Sequence, residues 1–427
     1  MQPVDPAGDT VATTLFEPLC EECHRMERSY WRTVLLVTTW QIAASICYYT
    51  IFAATPFFRD AFGLSRFSVG IVVTALTLGY AVFLLPLGAL TDRFGERTTL
   101  TLGLLGLATG ALLVAGAPSY ALLLAAVFVL GSLYGTAMPG TNKAVFDNID
   151  PGRQNLAIGI KQVGVTGGSG ISALLVTGLA GALFWQAGFL VAAAVGLVVA
   201  VAFYRLYASD GAGDEPGYPD FRKLLSNPPY LVLTVAGLFL GAALFTTTGY
   251  TVLYVEESVG ASVAFGGVVL ALVQLFGSAG RVLTGWLSDV LPGEPRVRIG
   301  SLLVAQSIGS AVMFVVVAST TSELGAAIAF SVLGFFVLGY TGVYYSLMAT
   351  LVRADEMGGA TAGGQLALTS GALVAPPAFG YLADTVGYRS SWLFLAAVVV
   401  IAAGLLVQVV RTEPTVTNPA AVDGSDP

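Results

Sequence analysis

The chain alternates long apolar runs with short breaks rich in glycine, proline or charge. Twelve of these runs reach roughly 20 residues, the length a helix needs to cross the ~30 Å hydrocarbon core of a bilayer. Six fall approximately at 33–57, 67–89, 98–116, 119–142, 155–182 and 186–206. Six more fall approximately at 229–255, 262–288, 298–318, 323–350, 358–382 and 391–411. Between the sets lies Tyr207–Asn227, whose Gly, Pro and Asp mark a linker. The pattern predicts an all-α membrane protein of twelve transmembrane helices in two six-helix bundles. Its expected divisions are a tail over 1–31, a bundle over 32–206, a linker over 207–227, a second bundle over 228–411 and a tail over 412–427. Residues 1–31 are polar and acidic and hold no apolar run of the signal-peptide kind.

Composition agrees with a bilayer setting. The 427 residues are 56% hydrophobic and 11% charged, against about 25% charged in a soluble domain. Orientation follows from Lys and Arg, which collect on the cytoplasmic side. Of the 19 basic residues, Arg59, Arg66 and Arg389 fall opposite the tails, and Lys161 and Arg281 fall inside spans. The remaining 14 lie on the tail side, so both termini are expected in the cytoplasm of a plasma-membrane protein. The net charge is −7, with acids grouped at Ser209–Asp220 and Asp423–Asp426, a composition expected of a halophilic microbe. Expected partners are the lipid bilayer and a small molecule, without nucleic acid, and the chain is expected to act as a monomer.

Cys20, Cys23 and Cys47 are too few for a disulfide framework. Cys20-Glu-Glu-Cys23-His24 has the spacing of a haem attachment or half a zinc site. Haem attachment occurs outside the cytoplasm, and a structural zinc site wants four ligands where the tail offers three. No metal and no cofactor is expected.

One charged turn organises the first half: Gly88-Ala-Leu-Thr-Asp-Arg-Phe-Gly-Glu-Arg97. Gly88 would let two helices approach closely, and Asp92, four residues on along the same face, could meet the positive end of a neighbouring helix. Gly95 frees the turn, while Arg93 and Arg97 sit where a cytoplasmic loop gathers positive charge. A weaker copy, Gly285-Trp-Leu-Ser-Asp289, lies 197 residues later. A second repeat pairs Gln162 in the fifth span with Gln365 in the eleventh, at an offset of 203. This Gly-x-Leu-x-Asp-Arg-x-Gly-x-Arg turn, with its Gly-x-Leu-x-Asp core repeated in the second half, resembles the loop between helices 2 and 3 of major facilitator superfamily carriers. The resemblance covers almost the whole chain. It implies two pseudo-symmetric bundles with a central site near the midplane, and a conformational gate built from Gly88, Asp92, Arg93, Gly95, Arg97, Gly285 and Asp289.

The ionisable residues exclude several mechanisms. All 26 Asp and Glu fall in tails, loops or helix ends, and the single histidine, His24, lies in the tail. No nucleophile–base arrangement or metal cluster is visible, so an enzyme is not expected. Gly164-Val-Thr-Gly-Gly-Ser-Gly170 lacks the Lys-Ser/Thr ending of a phosphate loop and follows no strand. Small residues allowing close helix packing account for it.

Two cations are embedded. Arg281 precedes Asp289 by eight residues, about 12 Å along a helix, and Lys161 lies as far beyond Arg153. A central Arg or Lys costs about 2.5–3.5 kcal/mol even on translocon scales, and no acid lies at that depth. Either both bind an anion, Arg281 offering a planar fork, or both snorkel to the cytoplasmic edge as gate or packing residues. In carriers of the monocarboxylate and oxalate–formate type a helix-8 arginine is a substrate ligand, and position 281 is similar. That resemblance also implies a pore lined by helices 1, 4, 7 and 10, where Gln41, Tyr48, Tyr49, Tyr250, Tyr254, Tyr340, Tyr344 and Tyr345 lie.

The expected substrate-binding set is therefore Arg281, Lys161, Gln162, Tyr48, Gln41, Tyr250, Tyr340, Tyr344 and Gln365. The expected function is transport of a small organic anion by alternating access, through exchange or facilitated diffusion, with Lys161 able to carry a proton. The alternatives are export of amphipathic compounds, carriage of a non-anionic solute, and a transport-incompetent sensor. The drug–proton antiporters of the superfamily usually carry a Gly-Pro pair in helix 5. None occurs here, which weighs against drug export.

Overall fold

The structure, a computed structural model, describes residues 9–150, 153–208, 221–353 and 356–411, without the side chains of 9–26, 28, 155 and 181. The first half holds α1 (Asp9–Ala53), α2 (Thr55–Phe62), α3 (Arg66–Phe94), α4 (Glu96–Ala115), α5 (Tyr120–Tyr134), α6 (Ala137–Asn148), α7 (Gln154–Ala182) and α8 (Gln186–Leu206). A short α9 (Phe221–Leu225) leads into α10 (Pro228–Glu257), α11 (Val263–Val290), α12 (Pro295–Val317), α13 (Glu323–Val337) and α14 (Thr341–Ala349). The chain ends with α15 (Met357–Gly371), α16 (Ala375–Thr385) and α17 (Tyr388–Arg411).

Among the described residues, twelve segments are long and apolar enough to cross a membrane. Three of them are pairs of helices run together, α5 with α6, α13 with α14 and α15 with α16. The spans match the hydropathy reading to within a few residues; the first ends at Ala53, with 55–57 already in α2, while the second runs to Phe94 and the fourth to Asn148. An apolar window measures the hydrocarbon thickness, and polar helix ends continue past it. The N-terminal segment expected as a tail is helical from Asp9 as part of α1. The side chains of Cys20, Cys23 and His24, most of the linker, and the 412–427 tail lie outside the described residues.

The internal repeat extends to details that a motif search does not reach. Ser65 caps α3 by accepting a hydrogen bond from the Ser68 amide, and Ser262, 197 residues on, caps α11 through Phe265. Ser119 and Ser322, 203 apart, cap α5 and α13 in the same way. Such a cap satisfies one of the free amides of a first turn and contributes about 1 kcal/mol. A Cβ on Gly131 of α5 would run into the Leu76 carbonyl of α3, and one on Gly334 of α13 would run into Val273 of α11. Those two crossings are again related by 203 and 197 residues, so backbone contact through a glycine is the shared packing device of both halves.

Arginines tie the helix ends together inside each bundle. Arg97 at the start of α4 donates from Nε and Nη2 to the Tyr204 carbonyl near the end of α8, at 3.1 and 2.6 Å. Arg296 at the start of α12 donates to the Val409 carbonyl of α17 at 2.5 Å. Each satisfies a carbonyl that has no partner in the last turn of its helix. Large apolar side chains such as Leu35, Leu102, Val198, Val282 and Leu324 are exposed on the outside, as a lipid-facing surface requires.

The tail side is where α8 and α17 end, and the far side is opposite. The bundles meet at the far side through ion pairs and close backbone contact. Glu257 of α10 takes Arg59 of α2 and Arg66 of α3, both at 2.7 Å, and the Tyr388 hydroxyl donates to it at 2.7 Å. Asp384 of α16 accepts from the Arg66 and Phe67 amides at 3.1 and 2.9 Å. A carboxylate from one bundle thus sits on the helix N-terminus of the other, where the helix dipole favours it. Midway down, the Ser278 hydroxyl of α11 donates to Thr166 of α7 at 2.7 Å. Nearer the tail side, a Cβ on Gly159 or Gly285 would meet nothing within 4 Å. The bundles are joined at the far side and part toward the tails.

Glu257→Gln keeps the shape of the far-side lock and removes its charge. It is expected to weaken closure by about 1.5–3 kcal/mol, the range for a charged hydrogen bond. Spin labels on α2 and α10 should then report a larger population of long distances. An unchanged distribution would leave Asp384 as the group holding this end.

Candidate functional site

Between the bundles lies a cavity of about 140 Å³. One wall is aromatic and comes from the first half. Tyr48 of α1 stacks on Tyr134 of α5 with ring centroids 4.1 Å apart, Tyr49 meets Tyr48 edge-on at 5.2 Å, and Tyr80 of α3 leans on Tyr134 at 5.7 Å. Gln41 donates to the Tyr134 hydroxyl at 3.2 Å, which fixes the ring from below.

The other wall is more polar. Arg281 of α11 is half-buried and donates from Nε to the Leu338 carbonyl at 3.0 Å. That carbonyl is available because the tenth span breaks at 338–340, between α13 and α14. An equivalent break separates α5 from α6 at Gly135–Thr136, 203 residues earlier. The Nη groups of Arg281 hydrogen-bond to no described residue, and no described carboxylate pairs with it. Tyr345 donates to Gln365 Oε1 at 2.6 Å beside it. Tyr340 lines the cavity on this side, and Tyr48 lines it from across. Their hydroxyls are buried with no hydrogen-bond partner among the described residues.

Lys161 of α7 also lines the cavity, but it is 3% exposed and held from behind. Its Nζ donates to Thr141 Oγ1 at 3.0 Å and to Asn142 Oδ1 at 2.5 Å, both on α6.

The structure thus brings Arg281, Lys161, Gln162, Gln41, Tyr48, Tyr340 and Gln365 to one cavity. It places two expected residues elsewhere. Tyr250 donates to the Arg66 and Pro376 carbonyls at 2.6 and 3.0 Å, so it belongs to the far-side closure. Tyr344 shares a face with Tyr340, yet packs in the core of the second bundle, where Gly237 leaves space for its ring. Tyr254, read with them, packs against Trp392 and Tyr388.

Tyr80, Tyr134, Gln274 and Thr248 line the cavity without having been singled out. Two of them carried a signal. Tyr134 is the tyrosine nearest the middle of the fourth span, one of the four spans expected to line the pore. Gln274 lies two helical turns before Arg281, on the same face.

The charged turns contact their own bundles in this conformation. Gly95 has φ +78°, the backbone freedom expected of it. Arg93 lies over the Phe94 ring and Arg97 caps α8. Asp92 makes no hydrogen bond or ion pair with a described residue, and the charges around it are Lys143 and Asp147. A Cβ on Gly88 would meet Pro139 at 3.6 Å, ordinary contact, so the close approach expected at Gly88 is absent with the tail side open. Any gating by these residues therefore acts in the state closed to the tails. Asp92→Asn should leave expression intact and slow transport, read as initial uptake rate per molecule in vesicles. A wild-type rate would make the turn a topological anchor only.

Comparison with known proteins bears on this architecture. The family model described as Major Facilitator Superfamily matches residues 38–362. The hexuronate transporter of Bacillus subtilis is 25% identical, over 88% of this chain and 92% of its own. Monocarboxylate transporter 13 of Rattus norvegicus is 27% identical over 78% of each chain. The crystal structure of a bacterial homolog to the human lysosomal transporter Spinster, inward-facing and occupied, superposes with a TM-score of 0.77 at 17% identity. It covers 90% of this chain and 97% of that one. With a family match over well more than half its length and the paired bundles to go with it, this chain belongs to the major facilitator superfamily, as a membrane transporter rather than an enzyme.

Proposed function

We propose that the protein carries a small organic anion of the carboxylate class by alternating access, with both termini in the cytoplasm. The observation that carries this reading is Arg281, a permanent cation facing a cavity between the bundles with no described carboxylate to pair with. A half-buried charge inside a membrane span without a partner is costly, and an anion in the cavity offsets that cost once per cycle. The Nε–Leu338 bond orients the guanidinium and leaves the Nη groups to grip a carboxylate. The tyrosine wall and the amides of Gln41, Gln162, Gln274 and Gln365 suit a compact ring or hydroxylated body. Support also comes from relatives whose names, hexuronate transporter and monocarboxylate transporter, both specify carboxylates. The excess of Lys and Arg on the tail side supports the orientation.

Counterflow in proteoliposomes tests the reading. Radiolabelled D-glucuronate, L-lactate and 4-hydroxybenzoate are each offered to protein preloaded with the same unlabelled anion, with protein-free vesicles as the blank. Exchange of at least one is expected. Exchange of none, together with efflux of cationic amphipathic dyes, would overturn it in favour of an exporter.

A further inference from the structure

We propose that Lys161 is the proton site of this carrier, taking up a proton as the anion enters and releasing it as the anion leaves. The inference rests on the anion reading above and adds its coupling. It starts from a count of hydrogen-bond donors. A neutral amine has two N–H groups and an ammonium has three. The structure supplies two acceptors, Thr141 Oγ1 at 3.0 Å and Asn142 Oδ1 at 2.5 Å. Thr141 passes its own hydrogen to the Ala137 carbonyl, so its oxygen is committed to accepting from Lys161. Both N–H groups of the neutral amine are therefore satisfied behind the cavity wall. The third N–H of the ammonium finds no acceptor among the described residues, and Lys161 borders the cavity.

The surrounding charges leave that place to the substrate. On α7 itself Lys161 is the sole titratable residue. From α1 the titratable neighbours are the phenols Tyr48 and Tyr49, and from α11 the cavity receives Arg281. On α6, Lys143 and Asp147 pair with each other at 2.6 Å. On α8 the titratable groups are Tyr204 and Arg205, at its tail-side end. No described carboxylate neutralises an ammonium at Lys161, whereas a bound carboxylate does. The charges then balance over the cycle. The empty site carries Arg281 alone, and the loaded site carries Arg281, the protonated Lys161 and the anion. Both sum to one positive charge. The proton comes from water on the side where the anion enters, binds the Nζ lone pair, and leaves to water on the other side with the anion. Transport is then symport of one proton with each monoanion, and it is electroneutral.

Proton uptake on binding is read by calorimetric titration of D-glucuronate, L-lactate and 4-hydroxybenzoate in buffers of different ionisation enthalpy. Wild type should take up close to one proton per anion bound. In vesicles, an imposed proton gradient should accumulate the anion about tenfold per pH unit. Lys161→Arg keeps a cation that cannot discard its proton, and Asn142→Asp gives the ammonium a permanent counter-charge. In both, protons per anion should fall to zero and gradient-driven accumulation should vanish, whatever the remaining exchange rate. Exchange by wild type with no proton uptake overturns the inference and leaves the anion reading standing, as does undiminished coupling in Lys161→Arg. Failure of wild type to exchange any of the three anions removes both together.

Discussion

Arg281→Ala is expected to abolish transport of anionic substrates and to weaken their binding about 10- to 100-fold, since a hydrogen bond to a charged group contributes about 1.5–3 kcal/mol and 1.4 kcal/mol is a factor of ten. The variant also leaves the Leu338 carbonyl at the break in the tenth span with the Thr341 hydroxyl alone, so a loss of activity alone would not separate binding from structure. Two controls make that separation. Arg281→Lys keeps the charge and loses the planar fork, and should retain weak transport. The methyl ester of a transported acid, which carries no charge, should bind wild type and Arg281→Ala with equal affinity if the residue acts on charge. Both affinities are measurable by thermal shift, because a ligand that binds only the folded state stabilises it. Equal anion affinity in wild type and Arg281→Ala would reduce the residue to a gate element and leave the substrate class open.

Gly70→Val should stop the cycle at a different point, by preventing closure of the far side. A Cβ at Gly70 of α3 would lie 2.5 Å from the Pro376 carbonyl oxygen and 2.5 Å from the Pro377 nitrogen of α16. Those atoms are backbone and belong to the other bundle, so no side chain can move aside. Overpacking of a core costs about 1–3 kcal/mol, and here that strain exists only while the far side is shut. The state shown by this structure should lose population about 5- to 150-fold, with transport falling in proportion. Folding of the individual bundles should be little affected, and the melting temperature should stay near the wild-type value. Gly380→Val tests the facing surface, since its Cβ would run into the Arg66 carbonyl. Normal uptake by Gly70→Val would mean that the bundles close through some contact other than this pair of helices.

The far-side lock and the charged turns on the tail side sit at opposite ends of the molecule, and the gating proposed for the turns would act in the state opposite to the one seen here. Arg59, Arg66, Glu257 and Asp384 are engaged here, while Asp92 and Asp289 are not paired with any described residue. A ligand can shift such an equilibrium only by binding one state better than the other. The cavity offers that difference. Thr166 and Tyr48 line it from one bundle, and Arg281 and Gln365 line it from the other. The anion proposed above, bridging them, would reward the arrangement that brings both walls together.

The sequence by itself determined the class of molecule. Twelve apolar runs, a repeat at offsets of 197 and 203, and two cations at a depth where no acid lies are local properties of the chain. They survive any rotation of the helices, which is why the spans, the two halves and the special standing of Arg281 and Lys161 could be read directly. Only the tertiary structure decided which way each side chain faces. A tyrosine is amphipathic and suits a bundle core, a far-side contact or a cavity wall equally well. Tyr48 and Tyr340 therefore could not be told apart from Tyr344 and Tyr250 until the neighbouring helices were in place. The same holds for Lys161, whose partners Thr141 and Asn142 lie some twenty residues away on a helix that begins after a break in its span. It holds for Glu257 too, which reads as an ordinary loop acid until α2, α3 and α17 bring Arg59, Arg66 and Tyr388 to it. Hydropathy measures how deep a residue lies, whereas helix packing sets what it touches, and that second quantity is long-range.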